Sequence, residues 1–252
     1  MLKQVQHDGG VVIGALCSAA LISLLIVATP LAAAPLDPLG DPAVFKRDLE
    51  ELNRNPLPDD AALARAVGTA VAVDARQRGR CAPKKIRLGK LAPVSLDGMI
   101  TTMIAKGQIE NGWLVRVTLD DCPPADPIRV LLLRAADGRT LQGIFAGQGT
   151  SYAWPSLSRE ALRGAVNTAL KQLRTADSAC NPRDITPTGM RIAGSSADLG
   201  PDVYGIRLKG SWNETWTFEP CGHRIEVPIA FRTNGNGGAY WDIDDAGVRY
   251  TR

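Results

Sequence analysis

The feature that most constrains this chain is an internal repeat at a spacing of 99 residues. Laying 56–122 over 155–221 brings 13 residues into identity without a gap, among them Cys81 on Cys180, Trp113 on Trp212 and Cys122 on Cys221. A duplicated unit has to bury its own apolar face, so two similar halves are predicted, 56–150 and 151–252. The chain's 252 residues, 45% of them hydrophobic, are enough for two modest cores.

Each half is predicted to open on a helix. Asp59 and Ser158 occupy equivalent positions, and both are N-cap residue types. Behind them, Leu63, Ala66, Val67 and Ala70 in the first half fall on one helical face. Leu162, Val166, Ala169, Leu170 and Leu173 do the same in the second. Alternating segments follow. In the first half strands are predicted over 86–94, 104–109, 113–119, 128–133 and 141–145, with Glu110-Asn111-Gly112 as a hairpin turn and another turn at Asp137-Gly138. In the second half they are predicted over 203–208, 212–218, 225–231 and 239–243, with turns at Gly210-Ser211 and Asn234-Gly235. The fold class is therefore α+β: a tandem duplication in which each repeat packs an N-terminal helix on a four- or five-stranded antiparallel sheet.

The beginning of the chain reads as an address. Residues 11–29 are an uncharged apolar run, followed by Pro30-Leu31 and Ala32-Ala33-Ala34. This fits a signal peptide over 1–34, with an uncleaved membrane anchor through residues 11–29 as the alternative. A Pro- and Asp-rich segment over 35–55 carries Phe45, Leu49 and Leu52 on one face of a short helix. In either case the body lies outside the cytoplasm, where cysteines oxidise. The repeat then favours one bond inside each half, Cys81–Cys122 and Cys180–Cys221, with a bond swapped between the halves as the rival pairing.

Several function classes find no support. A net charge of +3 makes no case for nucleic acid. The basic run from Arg76 to Lys90 reads as a solvated helix end and edge strand, or as a patch for an anionic lipid head group. His223 is the one histidine beyond the leader, so no His cluster for metal and no G-x-S-x-G partner for a triad exists. Asp242, Asp244 and Gly247 begin like a calcium loop, but the fifth place is Ala246 and the twelfth lies beyond Arg252. No cofactor and no metal is expected.

One asymmetry between the halves points elsewhere. Most aromatic residues lie beyond position 200, and alternation places Trp212, Glu214, Trp216 and Phe218 on one face where the first half has Val115 and Val117 in place of Glu214 and Trp216. Either Glu214 sits at the exposed end of a core face, paired with Arg207 or Lys209, or it belongs to a recognition surface of Trp212, Glu214, Trp216, Tyr240 and Trp241, rimmed by Asp242, Asp244 and Asp245. Trp212-Asn213-Glu214-Thr215-Trp216, Cys221-Gly222 and Gly235-Asn236-Gly237-Gly238 together resemble a pattern of uncharacterised secreted proteobacterial proteins, from which no activity transfers. The tandem, disulfide-bearing units also resemble secreted inhibitors such as the β-lactamase inhibitory protein, and that resemblance implies an inhibitor of an envelope or foreign enzyme. The expected function is non-enzymatic: a periplasmic or secreted protein binding a protein or envelope component through the aromatic surface. The alternative is a hydrolase working with Glu214 and a second carboxylate.

Overall fold

The computed structural model describes residues 57–252, except 80, 123–125 and 183–184, together with Glu50 and Asn53. The expectations for the leader and for the helix carrying Phe45, Leu49 and Leu52 lie outside the described residues. Both halves belong to one unit, Asp48–Arg252.

Helix α1, Asp60–Arg78, starts where Asp59 accepts a hydrogen bond from the Ala62 amide (2.8 Å) and stops at Gly79, whose left-handed backbone turns the chain out of the helix. Its buried line of Leu63, Ala66, Val67, Ala70 and Val71 packs on the first sheet. That sheet is an antiparallel meander of β3 (Ile109–Leu119), β4 (Ile128–Ala135) and β5 (Leu141–Gln148), with two short strands, β1 (Ile86–Leu88) and β2 (Ala92–Pro93), along the outer side of β3. Alternation divides β4 between its faces. Ile128, Val130 and Leu132 face α1, whereas Leu131 and Leu133 join Val94, Ile100 and Ile109 under a second helix, α2 (Gly98–Ala105).

The second half repeats this order. Helix α3, Pro155–Ala176, covers a sheet of β6 (Gly189–Ser195), β7 (Ser211–Phe218), β8 (Arg224–Thr233), β9 (Ala239–Ile243) and β10 (Arg249–Thr251). Here β6 stands where β1 and β2 stand in the first sheet, β7 where β3 does, β8 where β4 does and β9 where β5 does. The disulfides are Cys81–Cys122 and Cys180–Cys221, one in each half. Two antiparallel sheets, each packed with helices, and one bond per half are what the repeat predicts.

Several local expectations are corrected. Residues 104–109 are not a strand, and Asn111-Gly112 is not a turn: β3 runs through both, with a bulge between Ile109 and Asn111. Gly112 is there for close packing, since a Cβ on it would stand 3.3–3.4 Å from Leu133, Ile100 and Val94. The 86–94 strand is split into β1 and β2. The strand expected over 203–208 is a loop with a single Val203–Ile206 bridge, and the partner of β7 is β6 instead. Ser158 does not cap α3. The helix starts three residues earlier at Pro155, which is preset for a first turn, and the Ser158 hydroxyl donates to Ala153 O (3.2 Å). The innermost line of α3 is also slimmer than predicted: Leu157, Ala161, Ala165, Ala169 and Leu173 are buried, with Leu162 and Val166 on its flank.

The acceptor missing at the start of α3 comes from the other half. Asp97, fully buried, caps α2 with Oδ1, which accepts from the Met99 and Ile100 amides (3.0 and 3.2 Å), while Oδ2 accepts from the Ser156 amide in the first turn of α3 (2.7 Å). One carboxylate thus serves two helix N-termini, one from each half, where negative charge is favoured. Asp97→Ala removes both caps and is expected to cost about 2–3 kcal/mol in urea unfolding; a loss below that of one ordinary surface cap would show that the dual contact contributes little. The sheets meet where β5 ends and β6 begins, at the parallel bridge between Gly149 and Met190. Gly149 has φ +92°, and a Cβ there would lie 2.1 Å from Met190 O, so only glycine brings the edges this close.

Candidate functional site

The face predicted for β7 exists, but it points inward. Trp212, Glu214, Trp216 and Phe218 all lie under α3, with Trp212 stacked on Phe231 (5.1 Å between ring centroids) and tilted against Trp154 (6.1 Å). Glu214 is 0% exposed. Its Oε1 accepts from the Ser151 hydroxyl (2.9 Å), the amides of Tyr152 and Ala153 (2.8 and 3.2 Å) and Trp212 Nε1 (2.9 Å). Its Oε2 accepts from Trp216 Nε1 (2.8 Å). The five donors come from β7 itself and from the turn over 151–153 that joins the halves. This gives the asymmetry a physical reason: Val115, the equivalent residue of the first half, is buried in an apolar cluster, while Glu214 answers donors that an aliphatic side chain would leave unpaired.

Neither predicted cation reaches Glu214. Arg207 donates to Gly200 O and lies over the Tyr152 ring, and Lys209 pairs with Asp198 (3.8 Å). Sealed and fully engaged, Glu214 does not offer the carboxylate that the hydrolase alternative needs. Trp212, Glu214 and Trp216 therefore present nothing to a partner in this conformation. Trp241 is half-buried with its ring against Gly164 of α3, where a Cβ would come within 2.6 Å. Of the five residues, Tyr240 alone is open to solvent, 59% exposed beside Arg232. Of the acidic rim, Asp242 is exposed, and the other two residues make contacts within the protein. Asp244 caps the Ala246 amide, and Asp245 reaches Lys171 on α3 (3.4 Å). Among the described residues no group of three or more His, Cys, Asp or Glu could hold a metal ion.

His223 lies in a chain of side chains without a nucleophile. Its Nε2 bonds Asp177 Oδ2 (2.9 Å) and its Nδ1 meets the Tyr250 hydroxyl (2.7 Å), tying the end of α3 to β10 beside the Cys180–Cys221 bond. That hydrogen bond, with the Ala179 amide, holds the Asp177 carboxyl below the ordinary carboxylate value. Asp137 is lowered to about 2, first by the Thr140 hydroxyl and then by the Thr140 and Arg139 amides. Both folded values lie below the unfolded ones. The stabilisation is therefore present above the ordinary aspartate value and lost as pH falls through the folded value. A proton titration followed by NMR is expected to place the Asp137 midpoint near pH 2, and Asp137→Ala should remove that step from the acid limb of stability.

What sequence reasoning missed is Arg129. It is the second residue of β4, IRVLLLRA, facing away from α1, and is 2% exposed. Its Nη2 donates to Ala153 O (2.7 Å) and its Nη1 stands 3.9 Å from Met190 Sδ. Desolvation lowers its pKa to about 10, against the opposing charge of Glu214, so the guanidinium stays charged. The Ala153 peptide lies between the two charges, its N–H on Glu214 and its C=O on Arg129. A cation inside an apolar strand is a signal that a sequence can give.

Arg129 lines a cleft of about 380 Å³ between the halves. The first half supplies Arg78, Leu131 and Phe145; the second supplies Arg159, Leu162 and Met190. The walls are mostly apolar. Part of the basic run is neutralised within the first half, Arg78 by Asp74 (2.6 Å) and Arg87 by Asp120 (2.6 Å). No family model, curated protein or solved structure matches the chain, so what this arrangement can do is read from its own geometry. The paired disulfides indicate an oxidising, extracytoplasmic setting, and among the described residues no helix is long and apolar enough to cross a membrane.

Proposed function

We propose that this is a non-catalytic binding protein, periplasmic or secreted, that takes its partner in the cleft between its halves rather than on its aromatic face. The observation that carries the reading is the cleft: an apolar depression of about 380 Å³ walled by both halves, with a buried guanidinium in its lining. Such clefts, apolar with few fixed polar groups and set where two packed units meet, are the common form of small-ligand sites. In this reading the indoles and Glu214 are the scaffold, holding the 151–153 turn and through it Arg129.

The test uses full-length protein purified under native conditions from its own envelope fraction. Denaturation is expected to release a small molecule in about equimolar amount, identified by mass spectrometry. Ser158→Trp, which places bulk in the cleft from the first turns of α3 and gives up one hydrogen bond to Ala153 O, should release none while remaining folded by circular dichroism. Equal recovery from both forms, or none from either, would overturn the reading.

A further inference from the structure

Three arginines border the cleft, and among the described residues no carboxylate lines it. They are not equivalent. Arg78 is answered by Asp74, by the Phe145 ring (4.4 Å) and by Pro187 O. Arg159 is exposed on the α3 side, and among the described residues its guanidinium meets a thioether, Met99 Sδ at 3.6 Å. Arg129 is buried, yet its partners are one carbonyl and one thioether. Glu214, the acid whose charge opposes the desolvation of Arg129, has both oxygens bonded to other donors. A buried cation is ordinarily met by an anion. A guanidinium offers five N–H groups in a planar fork matched to a carboxylate, and here Nη2 meets a single carbonyl and Nη1 a weakly accepting thioether.

The rest of the lining narrows the class. Leu131, Ile144, Phe145 and Leu162 are hydrocarbon, and Met99 and Met190 are unbranched side chains that adapt to a flexible occupant. Apart from the arginines, the polar side chains are two hydroxyls, Ser158 and Thr186. A sugar or nucleotide would leave most of its own polar groups unpaired there. The volume lies near the lower end of the roughly 300–1,000 Å³ spanned by small-ligand sites, enough for one chain and not for two.

We infer that the cleft receives a single-chain carboxylate amphiphile, a medium-chain fatty acid, with its head on Arg129 and its chain along Leu131, Phe145 and Met190. The inference rests on the cleft being the binding site proposed above. Arg159 at the rim draws the anion in and helps to hold it.

Isothermal titration of the disulfide-intact protein with three probes of one chain length tests this. Sodium decanoate is expected to saturate one site, decanol to bind at least about tenfold more weakly, and decyltrimethylammonium not to bind. Arg159→Glu, on an exposed position that leaves the core untouched, should weaken decanoate by about tenfold and leave decanol unchanged. Arg129→Met should erase the preference for decanoate over decanol. Equal affinity for decanoate and decanol, an unchanged Arg159→Glu variant, or no saturable decanoate binding each overturns the inference. If no probe binds while the natively purified protein still releases a cleft ligand, the ligand class falls and the binding function stands. If neither is seen, both fall.

Discussion

Glu214→Val should be among the most damaging single substitutions in the chain, costing about 3–5 kcal/mol, although it restores the residue found at the equivalent place in the first half. Four donors would lose their acceptor in a space closed to water, two indole N–H groups, the Ser151 hydroxyl and the Tyr152 amide, while the Ala153 amide would keep its second acceptor, Ser151 Oγ (3.0 Å). Each buried donor left unpaired costs about 1–3 kcal/mol, and relaxation recovers only part of the sum. Arg129 would also lose the charge that opposes its desolvation. Glutamine separates charge from hydrogen bonding. Its amide oxygen can replace Oε1, but its NH₂ would face Trp216 Nε1, one donor against another, at a cost of about 2–3 kcal/mol. Adding Trp216→Phe to Glu214→Gln removes the opposed donor. A double-mutant cycle in urea should therefore show the pair less destabilised than the sum of the singles. Strict additivity would mean that the Oε2–Trp216 contact carries no weight.

The second large effect is loss of a disulfide. Each bond joins cysteines 41 residues apart, and on the chain-entropy model opening such a loop costs about 4 kcal/mol. For a body of this size that amounts to a melting temperature lower by on the order of 10 °C. Cys180→Ser with Cys221→Ser should lose more than the matching pair in the first half. The second bond lies beside the Asp177–His223–Tyr250 chain that secures both the end of α3 and β10. Equal losses from the two double variants would show that this chain adds nothing to the bond it adjoins.

How much of this was legible in the sequence follows from the range of each interaction. The duplication, both disulfides, the strands read over 128–133, 141–145, 225–231 and 239–243, and the shared face of Trp212, Glu214 and Trp216 were written in spacing, which local chemistry reads directly. Which way that face points was not. Whether a carboxylate between two indoles is bare or satisfied depends on the 151–153 turn some 60 residues earlier, and nothing near Glu214 announces it. Helix α2 was hidden because Asn111-Gly112 gives a strong turn signal, while the glycine serves close packing against Ile100 and the real punctuation is the Asp97 cap. The loop before β7 was misread for the same reason in reverse. Alternation at 203–208 looked like a strand, whereas the true edge strand, Gly189–Ser195, is short of large apolar residues, as edges often are. The cleft was illegible as a whole, since it draws on both halves at once. Only Arg129 within its apolar strand left a trace.

The sulfur pairing has a consequence for how the molecule matures. Among the four described cysteines the first pairs with the second and the third with the fourth. As the chain threads into an oxidising compartment, an oxidant that links each newly arrived thiol to the one just before it makes the native bonds at once. Among these four thiols that order makes no mispaired bond to reshuffle, so oxidative folding of the body is expected to need a disulfide oxidase and to be unaffected by loss of an isomerase.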